Sequence, residues 1–262
     1  MTLIVGIRCI DGIVVGADGA ATLGVLGQTT ARQVIKKLSI LNGVIILGVS
    51  GPVGLAQRIQ GETEALWADK AFSGKKPFEA MAIIRSALWK HLEPELKAAQ
   101  VSMSVVGPQA AAQSAICSTV LALPVSKNAC LFQFDHQGAP EEASDKLPFV
   151  SIGSGQPIAD PFLAFLRRIF WPGRLPNLSE GVFTTLWVLN HAIATAPGGI
   201  SEPVQIVVLE RSGDGWRARE LPEEEQQEHQ EAITFAEQHL ACYRESFSRT
   251  LEGRTPEPPK PA

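Results

Sequence analysis

Two hairpin signatures stand at the start of the chain, ahead of any segment with helical periodicity. Each consists of two apolar runs joined by a short polar pair that ends in glycine. An Asn-Gly pair favours a type I′ turn, because both central residues of that turn need positive φ. The sequence therefore predicts that the fold begins with two antiparallel hairpins, formed by residues 3–9 and 13–18 around Asp11-Gly12, then by 34–41 and 44–50 around Asn42-Gly43.

After Gly51, the apolar residues recur at intervals of three to four residues or multiples of these, as in a helix. One stripe follows this glycine, and a second follows Pro77, a residue type that is favoured at the first position of a helix. We expect two neighbouring helices here. Their stripes are Leu55, Ile59 and Leu66, then Met81, Ile84, Leu88 and Leu92.

Strands and helices continue in blocks over the rest of the chain. Strand-like runs are followed by two helical segments and then by two further strands. This order is typical of an α+β fold with antiparallel sheets, since alternating βαβ units would give a parallel sheet. The predicted strands are 116–123, 129–134 and 149–152, then 203–210 and 216–220, with helices after residue 154 and over 179–195.

Composition excludes several classes of protein. The chain has 262 residues, of which 45% are hydrophobic and 19% charged, as in ordinary globular proteins. A net charge of −4 with scattered Lys and Arg offers no basic patch for nucleic acid. No secretory signal and no apolar run of membrane-spanning length is found, so we expect a cytoplasmic protein with no membrane partner.

The four cysteines favour neither a metal site nor a redox pair. They show no CxxC spacing and no histidine at ligand distance along the chain. We expect reduced thiols, and neither a metal nor a cofactor. The four positions are Cys9, Cys117, Cys130 and Cys242.

Three stretches together resemble a known family. TLIVGIRCIDGIVVGAD, KKLSILNGVIILGVSG and SIGSGQPIA are similar in order and spacing to the β-type subunit of the proteasome and its bacterial relatives, a family of N-terminal-nucleophile hydrolases. The similarity covers residues 2 to about 210. The Met-Thr start and the long C-terminal extension most resemble the stand-alone bacterial homologues. The resemblance implies a four-layer αββα sandwich of antiparallel sheets and a double ring of two heptamers or hexamers.

The resemblance also implies that Thr2 is the nucleophile, once Met1 is removed. A threonine hydroxyl needs a base close by, and the free α-amine of the same residue can serve, with an unperturbed pKa of about 7.7–8.0. Threonine is a small second residue that permits removal of the methionine. On the residues alone, Thr2 could instead be a β-prone residue that begins a strand.

The family pattern assigns Asp18 and Lys37 to an ion pair beside the nucleophile. The lysine charge would lower the pKa of the neighbouring amine and orient the hydroxyl. Lys36 competes for this role, and only one of two adjacent strand residues can face the site. We choose Lys37 because the family lysine usually precedes an apolar residue and because Gly51 follows fourteen residues later. Without the resemblance, both lysines would read equally well as a solvated strand end.

Two further positions match the family's catalytic residues. The backbone N–H of Gly51 would stabilise an oxyanion at the start of a helix, and Ser154 would hydrogen-bond near the amine. Glycine at residue 51 could equally be needed for a tight turn. The Gly-Ser-Gly stretch around Ser154 could also be a simple turn, and it lacks the lysine of a phosphate-binding P-loop.

The chain departs from the family pattern at ATAPGG, residues 194–199. Ala194 and Pro197 stand where many members have an aspartate and a serine, which puts the strength of catalysis in doubt. The specificity pocket implied by the resemblance is apolar, so we expect cleavage after apolar residues, since an unpaired buried charge would be costly there. The pocket positions are Ala21, Ile35, Val49 and Val53.

The C-terminal region forms a separate part of the predicted organisation. We expect a hydrolase domain over 2–220, a helical extension over 221–250 and a disordered Pro-rich tail over 251–262. The extension has one apolar stripe, which could pack on its own domain or dock on a neighbouring subunit. The stripe consists of Ile233, Ala236, Leu240, Tyr243 and Phe247.

The sequence thus predicts a threonine-type amide hydrolase that self-assembles and cleaves peptides or unfolded proteins. Two alternatives stay open. A catalytically silent structural ring subunit would account for the altered 194–199 stretch, and a small-molecule amidase would use Thr2 without a ring. Neither the physiological substrate nor a partner ATPase that unfolds substrates can be read from the residues.

Overall fold

The computed structural model describes residues 2–25, 28–196 and 199–251, and the side chains of 22–25, 28–32 and 245–251 are not described. The predicted Pro-rich tail beyond Leu251, and with it Met1 and Pro197, therefore lies outside the described residues. The described part is a mixed α/β structure with antiparallel sheets and six helices.

Sheet I has five strands in the order β10-β1-β2-β11-β12, and all of its pairings are antiparallel. The first predicted hairpin lies at its centre, with Ile4 opposite Ala17 and Arg8 opposite Ile13. Gly12 at the turn has no room for a side chain, because a Cβ would lie 2.3 Å from the carbonyl oxygen of Leu209. The strands are β1 (Ile4–Arg8), β2 (Gly12–Ala17), β10 (Phe149–Ile152), β11 (Gln205–Ser212) and β12 (Gly215–Glu220).

Sheet II also has five antiparallel strands, in the order β5-β6-β7-β8-β9. The second predicted hairpin forms its edge, where Asn42 and Gly43 have the expected positive φ values of 52° and 72°. A separate two-stranded hairpin, β3 (Ala20–Val25) with β4 (Gln28–Val34), precedes it. The strands of sheet II are β5 (Leu38–Leu41), β6 (Ile45–Ser50), β7 (Ser118–Val125), β8 (Asn128–Phe134) and β9 (Pro140–Glu142).

Side chains from both sheets share one buried apolar cluster. Alternating residues of each strand contribute to it, as expected where a sheet face is covered. Burial of this apolar surface is the main favourable term that joins the sheets. The cluster includes Ile4, Ile13, Val15 and Val207 from sheet I, and Leu38, Ile46, Val120 and Leu131 from sheet II.

Helices α1 (Val53–Ala68) and α2 (Pro77–Val106) bury the two predicted apolar stripes in a second cluster with sheet II. Two polar contacts join the helices, Arg58 with Glu95 at 2.5 Å and His91 with Glu62 at 3.2 Å. The two helices are therefore neighbours, as predicted. Helix α3 (Pro108–Ala115) follows and was not predicted, because its alanine-rich sequence carries no clear apolar stripe.

Helices α4 (Gln156–Phe170) and α5 (Leu178–Thr195) follow β10, and α5 packs closely on β2. The contact depends on Gly16, where a Cβ would lie 2.4 Å from Cγ2 of Thr185 and 2.8 Å from Ile206 and Leu189. Helix α5 begins with a capping box between Asn177 and Glu180.

The chain divides into two compact units, Met1–Leu221 and Pro222–Ala262. The second unit contains helix α6 (Glu223–Leu251), which carries three glutamates in its first turn, where the helix dipole favours negative charge. Phe235, Leu240 and Tyr243 of this helix are 63%, 57% and 59% exposed. Within the described ranges, every helix is too short or too polar to cross a membrane.

We predict that Gly16→Ala destabilises the protein by about 1–3 kcal/mol, because the added methyl overpacks the β2–α5 contact. Gly61→Ala is the matched control, since nothing lies within 4 Å of its Cβ position in α1. Alanine there should stabilise the helix by up to about 1 kcal/mol. Urea unfolding of both variants measures the difference, and equal stabilities would contradict the predicted overpacking.

Candidate functional site

A buried ion pair lies where β2 ends. Asp18 follows the last residue of β2, and Lys37 lies on the link between β4 and β5. Nζ of Lys37 lies 2.6 Å from Oδ1 of Asp18, with the two side chains 4% and 0% exposed. Removing one partner of such a pair leaves an uncompensated buried charge, so each residue requires the other.

Backbone donors complete the environment of the Asp18 carboxylate. Oδ1 accepts a hydrogen bond from the N–H of Leu3 at 2.8 Å. Oδ2 accepts from the N–H groups of Ala20 at 3.3 Å and Ser201 at 3.4 Å. The carboxylate is therefore held by three backbone N–H groups in addition to Lys37, all of which must be in place before it can be buried at low cost.

Thr2 lies on the other side of the Lys37 ammonium. Nζ donates to Oγ1 of Thr2 at 3.2 Å while it is paired with Asp18. Lys36 instead forms an exposed ion pair with Glu220 at 2.7 Å. The structure thus brings Lys37, and not Lys36, to the hydroxyl of Thr2, because neighbouring residues of an extended segment point in opposite directions.

The turn between β10 and α4 holds the main chain of Thr2. The backbone nitrogen of Thr2 donates to Oγ of Ser154 at 3.2 Å, and Gly155 N–H donates to the Thr2 carbonyl oxygen at 3.2 Å. Gly153 has a φ of 98°, and a Cβ there would lie 2.2 Å from that same oxygen. Glycine at 153 is therefore required both by the conformation and by the close approach of Thr2.

Gly51 follows the end of β6, next to the same turn. A Cβ on Gly153 would lie 3.2 Å from Oγ of Ser50, so the end of β6 reaches the Thr2 region. Gly51 itself packs against the residues that lead into β7, since its Cβ would lie 2.8 Å from the carbonyl oxygen of Ile116. Glycine at this position therefore meets a steric need.

The four predicted pocket residues differ in exposure. Ile35 and Val53 are 38% and 57% exposed, whereas Ala21 and Val49 are partly buried. A cavity of about 530 Å³ lies elsewhere, at the carboxyl end of α1. Trp67, Phe72 and Pro124 are among its lining residues.

Sequence reasoning missed Gln205, whose side chain holds the segment that carries Lys37. Its Oε1 accepts from the N–H of Lys37 at 3.1 Å and of Leu38 at 2.9 Å, and its Nε2 donates to the Leu38 carbonyl at 3.1 Å. Gln205 is the first residue of β11, and it is 8% exposed. A polar residue at the start of an apolar strand was the only signal available for it.

In the segment that departs from the family pattern, Thr195 hydrogen-bonds within its own helix. The Thr195 hydroxyl donates to the His191 carbonyl at 2.7 Å, within α5. Ala194 lies in the last turn of the same helix and carries no polar group, and Pro197 lies outside the described residues. Ser201, a little further along, is the residue that supplies a backbone donor to Asp18.

Three cysteines are too deeply buried to act as nucleophiles. Burial raises the pKa of the Cys117 thiol to about 12 and that of Cys130 to about 12, and it raises the pKa of Cys9 as well. These thiols stay neutral at physiological pH, and only the thiolate is nucleophilic. In the part of the chain that the structure describes, no three potential metal ligands cluster together.

No protein-family model matches the chain, and no curated protein sequence matches it. Solved structures do match. Anbu (ancestral beta-subunit) from Yersinia bercovieri is 13% identical with a TM-score of 0.67, over 92% of this chain and 97% of that chain. Anbu from Hyphomicrobium sp. strain MC1 is 19% identical with a TM-score of 0.62, over 92% and 97%.

A third match is the helical assembly of the Anbu complex from Pseudomonas aeruginosa, 14% identical with a TM-score of 0.62 over 98% of both chains. Together these likenesses show that the chain has the fold of the Anbu structures. At such low identity they show the fold alone.

The family identification made from the sequence is therefore wrong. The chain was identified with the proteasome β-type subunits and their stand-alone bacterial homologues, but no family model matches it and the structures that it resembles are Anbu proteins. The three quoted stretches coincide with β1–β2, β5–β6 and the β10–α4 turn. Short apolar strands and glycine turns meet local requirements of a fold, so they recur without close kinship.

We predict that Gln205→Ala lowers the free energy of unfolding by about 2 kcal/mol or more, because a buried N–H, a partly buried N–H and a buried carbonyl lose this partner. Gln60→Ala is the control, since the exposed Gln60 amide contacts only Glu64 of the same helix among its described contacts. Chemical denaturation compares the two variants. A loss at Gln205 no larger than that at Gln60 would rule out the holding role.

Proposed function

We propose that this chain is a threonine-type amide hydrolase that uses Thr2 as its nucleophile after removal of Met1. One observation carries the proposal: the buried Lys37 ammonium contacts both the Asp18 carboxylate and the Thr2 hydroxyl. A hydroxyl, a charged lysine and a backbone amine at one residue supply the nucleophile, the electrostatic activation and the base of an N-terminal-nucleophile reaction.

The reaction begins with proton transfer within Thr2. The free α-amine takes the hydroxyl proton as Oγ1 bonds to the substrate carbonyl carbon, and the carbonyl electron pair moves to its oxygen. The resulting tetrahedral anion collapses with cleavage of the C–N bond, and the leaving nitrogen takes the proton from the ammonium. A water molecule then gives a proton to the amine and attacks the ester, which releases the acid and returns the proton to Oγ1.

Lys37 makes this proton transfer easier. A positive charge 3.2 Å from Oγ1 stabilises negative charge that develops on the oxygen, and it disfavours protonation of the nearby amine. Asp18 pairs with the lysine in its buried position and fixes the direction of its side chain. Ser154, at 3.2 Å from the backbone nitrogen, orients the amine towards the hydroxyl.

The backbone N–H of Gly51 is our candidate for the oxyanion donor. The support is its place directly after Ser50, whose hydroxyl oxygen would lie 3.2 Å from a Cβ on Gly153, in the turn that contacts Thr2. Gly51 also lies two residues before the start of α1, where the helix dipole favours negative charge. Such a preorganised donor contributes about 3–4 kcal/mol of transition-state stabilisation in other hydrolases.

The proposed substrates are peptides or unfolded protein segments, cut after apolar residues. Ala21, Ile35, Val49 and Val53 carry no charge, and exposed Ile35 and Val53 offer apolar surface to a bound chain. A charged substrate side chain would find no partner among these four residues, so its desolvation would weaken binding.

The proposed architecture is the four-layer αββα sandwich of N-terminal-nucleophile hydrolases. Support comes from the apolar cluster between the two sheets, from the burial of α1 and α2 against sheet II, and from the close contact of α5 with β2. The extra C-terminal helix of the proposal corresponds to α6.

We further propose that the protein is a homo-oligomer. Its structural neighbour from Pseudomonas aeruginosa forms a helical assembly. Exposed apolar residues on α6, Phe235, Leu240 and Tyr243, are suited to contact another copy, because water-exposed apolar surface is unfavourable. The double ring expected from the sequence and an open helix are the two forms to be distinguished.

We predict that a β-lactone probe modifies Thr2 of the wild-type protein once, and that Lys37→Ala lowers the labelling rate by about 100-fold or more, because the hydroxyl loses its charged neighbour. Intact-mass spectrometry follows both the loss of Met1 and the adduct. Thr2→Ala should give no adduct.

Lys36→Ala is the matched control for Lys37→Ala. It removes a neighbouring lysine that pairs only with exposed Glu220 among the described contacts, and it should label at the wild-type rate. Absence of an adduct on processed wild-type protein would contradict the hydrolase proposal and favour a catalytically silent subunit. A labelled protein that cuts small amides but no peptide would point to an amidase.

We predict that Leu240→Asp together with Tyr243→Asp lowers the mass of the oligomer in solution, because charges would replace the apolar contact on α6. Mass photometry and electron microscopy measure the effect and separate a discrete ring from filaments of variable length. Gln227→Asp on the polar side is the control. An unchanged mass in the double variant would exclude α6 from the assembly contact.

A further inference from the structure

The turn formed by Gly153, Ser154 and Gly155 contacts Thr2 at both ends of its main chain. Ser154 Oγ accepts from the backbone nitrogen at 3.2 Å, and Gly155 N–H donates to the carbonyl oxygen at 3.2 Å. Any shift of this turn therefore moves the groups that orient the amine of Thr2. Ser154 itself is exposed, so its position depends on the backbone that carries it.

The carboxylate of Asp160 links the two ends of this turn. Oδ1 of Asp160, in the second turn of α4, accepts from the Ser151 hydroxyl at 2.5 Å. Its Oδ2 accepts from the side-chain amide of Gln156 at 3.1 Å. Ser151 lies in β10 before the turn and Gln156 begins α4 after it, so one carboxylate joins both ends of the turn.

Each end of the turn also has backbone support. The strand side is held by the pairing of Ile152 with Ile4 in sheet I. The helix side is held by the N–H of Ala159, which donates to the Gly155 carbonyl. Within the turn, the N–H of Gln156 also donates to the Gly153 carbonyl at 3.1 Å. Asp160 adds a side-chain link between β10 and α4, and Ser151 is 2% exposed, so its hydroxyl needs this acceptor.

We propose that Asp160 is a positioning residue for the reaction, which holds the Gly153–Gly155 turn so that Ser154 stays against the Thr2 nitrogen. This inference rests on the proposed function, in which that nitrogen is the base. The described contacts of Asp160 are with Ser151 and Gln156, not with Thr2. It acts through the turn, where a displacement of about 1 Å can cost a hundredfold in rate.

The experiment is a double-mutant cycle on the rate of Thr2 labelling by the β-lactone probe. Asp160→Ala should lower the rate by roughly 10- to 100-fold, and Ser154→Ala should lower it as well. In the Ser154→Ala background, Asp160→Ala should cause less than about a twofold further loss, because its effect passes through Ser154. Equal losses in both backgrounds would overturn the inference. Asp160→Asn, which keeps an acceptor for Ser151, should restore part of the rate.

Asp145→Ala is the control, since this exposed carboxylate pairs with Arg8 away from the turn. Hydrogen exchange of the Gly155 amide gives a second readout that needs no activity. It should speed up at least tenfold in Asp160→Ala and stay unchanged in Asp145→Ala. If wild-type protein is not labelled, the hydrolase proposal fails while hydrogen exchange still decides whether Asp160 holds the turn; unchanged exchange in Asp160→Ala overturns the inference.

Discussion

The burial of the Asp18 carboxylate is the constraint on which the rest of the site depends. A fully buried charge is tolerated only when hydrogen bonds and an opposite charge compensate it. Here the compensation comes from Leu3, Ala20, Lys37 and Ser201. Because these donors belong to different segments, satisfying one carboxylate aligns the start of the chain, the first β-hairpins and the loop before β11.

The position of Thr2 follows from that alignment. Leu3 is bound to Asp18 on one side, and the Gly153–Gly155 turn holds the Thr2 main chain on the other. The hydroxyl then meets the Lys37 ammonium, whose backbone is fixed by the Gln205 amide. Each contact limits a different degree of freedom, so the fold itself fixes the arrangement of Thr2, Asp18 and Lys37.

Much of the fold could be predicted from local sequence. The hairpin around Asn42-Gly43 follows from its turn residues, and the helix that begins at Pro77 follows from the spacing of its apolar residues. Both signals act within a few residues of the chain. Helix α3 and strand β9 were missed, since neither shows a clear apolar period. The family identification failed although its motifs coincide with real strands and turns. Short motifs that fit a fold locally do not carry enough information to define a family.

The sequence by itself determined where most of the strands and helices form, because hydrophobic periodicity and turn residues act locally. It also supplied the side-chain chemistry, a threonine, an aspartate and two adjacent lysines, without deciding between Lys36 and Lys37 by any physical rule. The tertiary structure places Lys37, rather than Lys36, beside the Thr2 hydroxyl. It also brings Gln205 to Leu38, 167 positions away in the sequence. This contact depends on the pairing of β11 with β2 in sheet I. No pattern along the chain shows that these distant segments lie side by side.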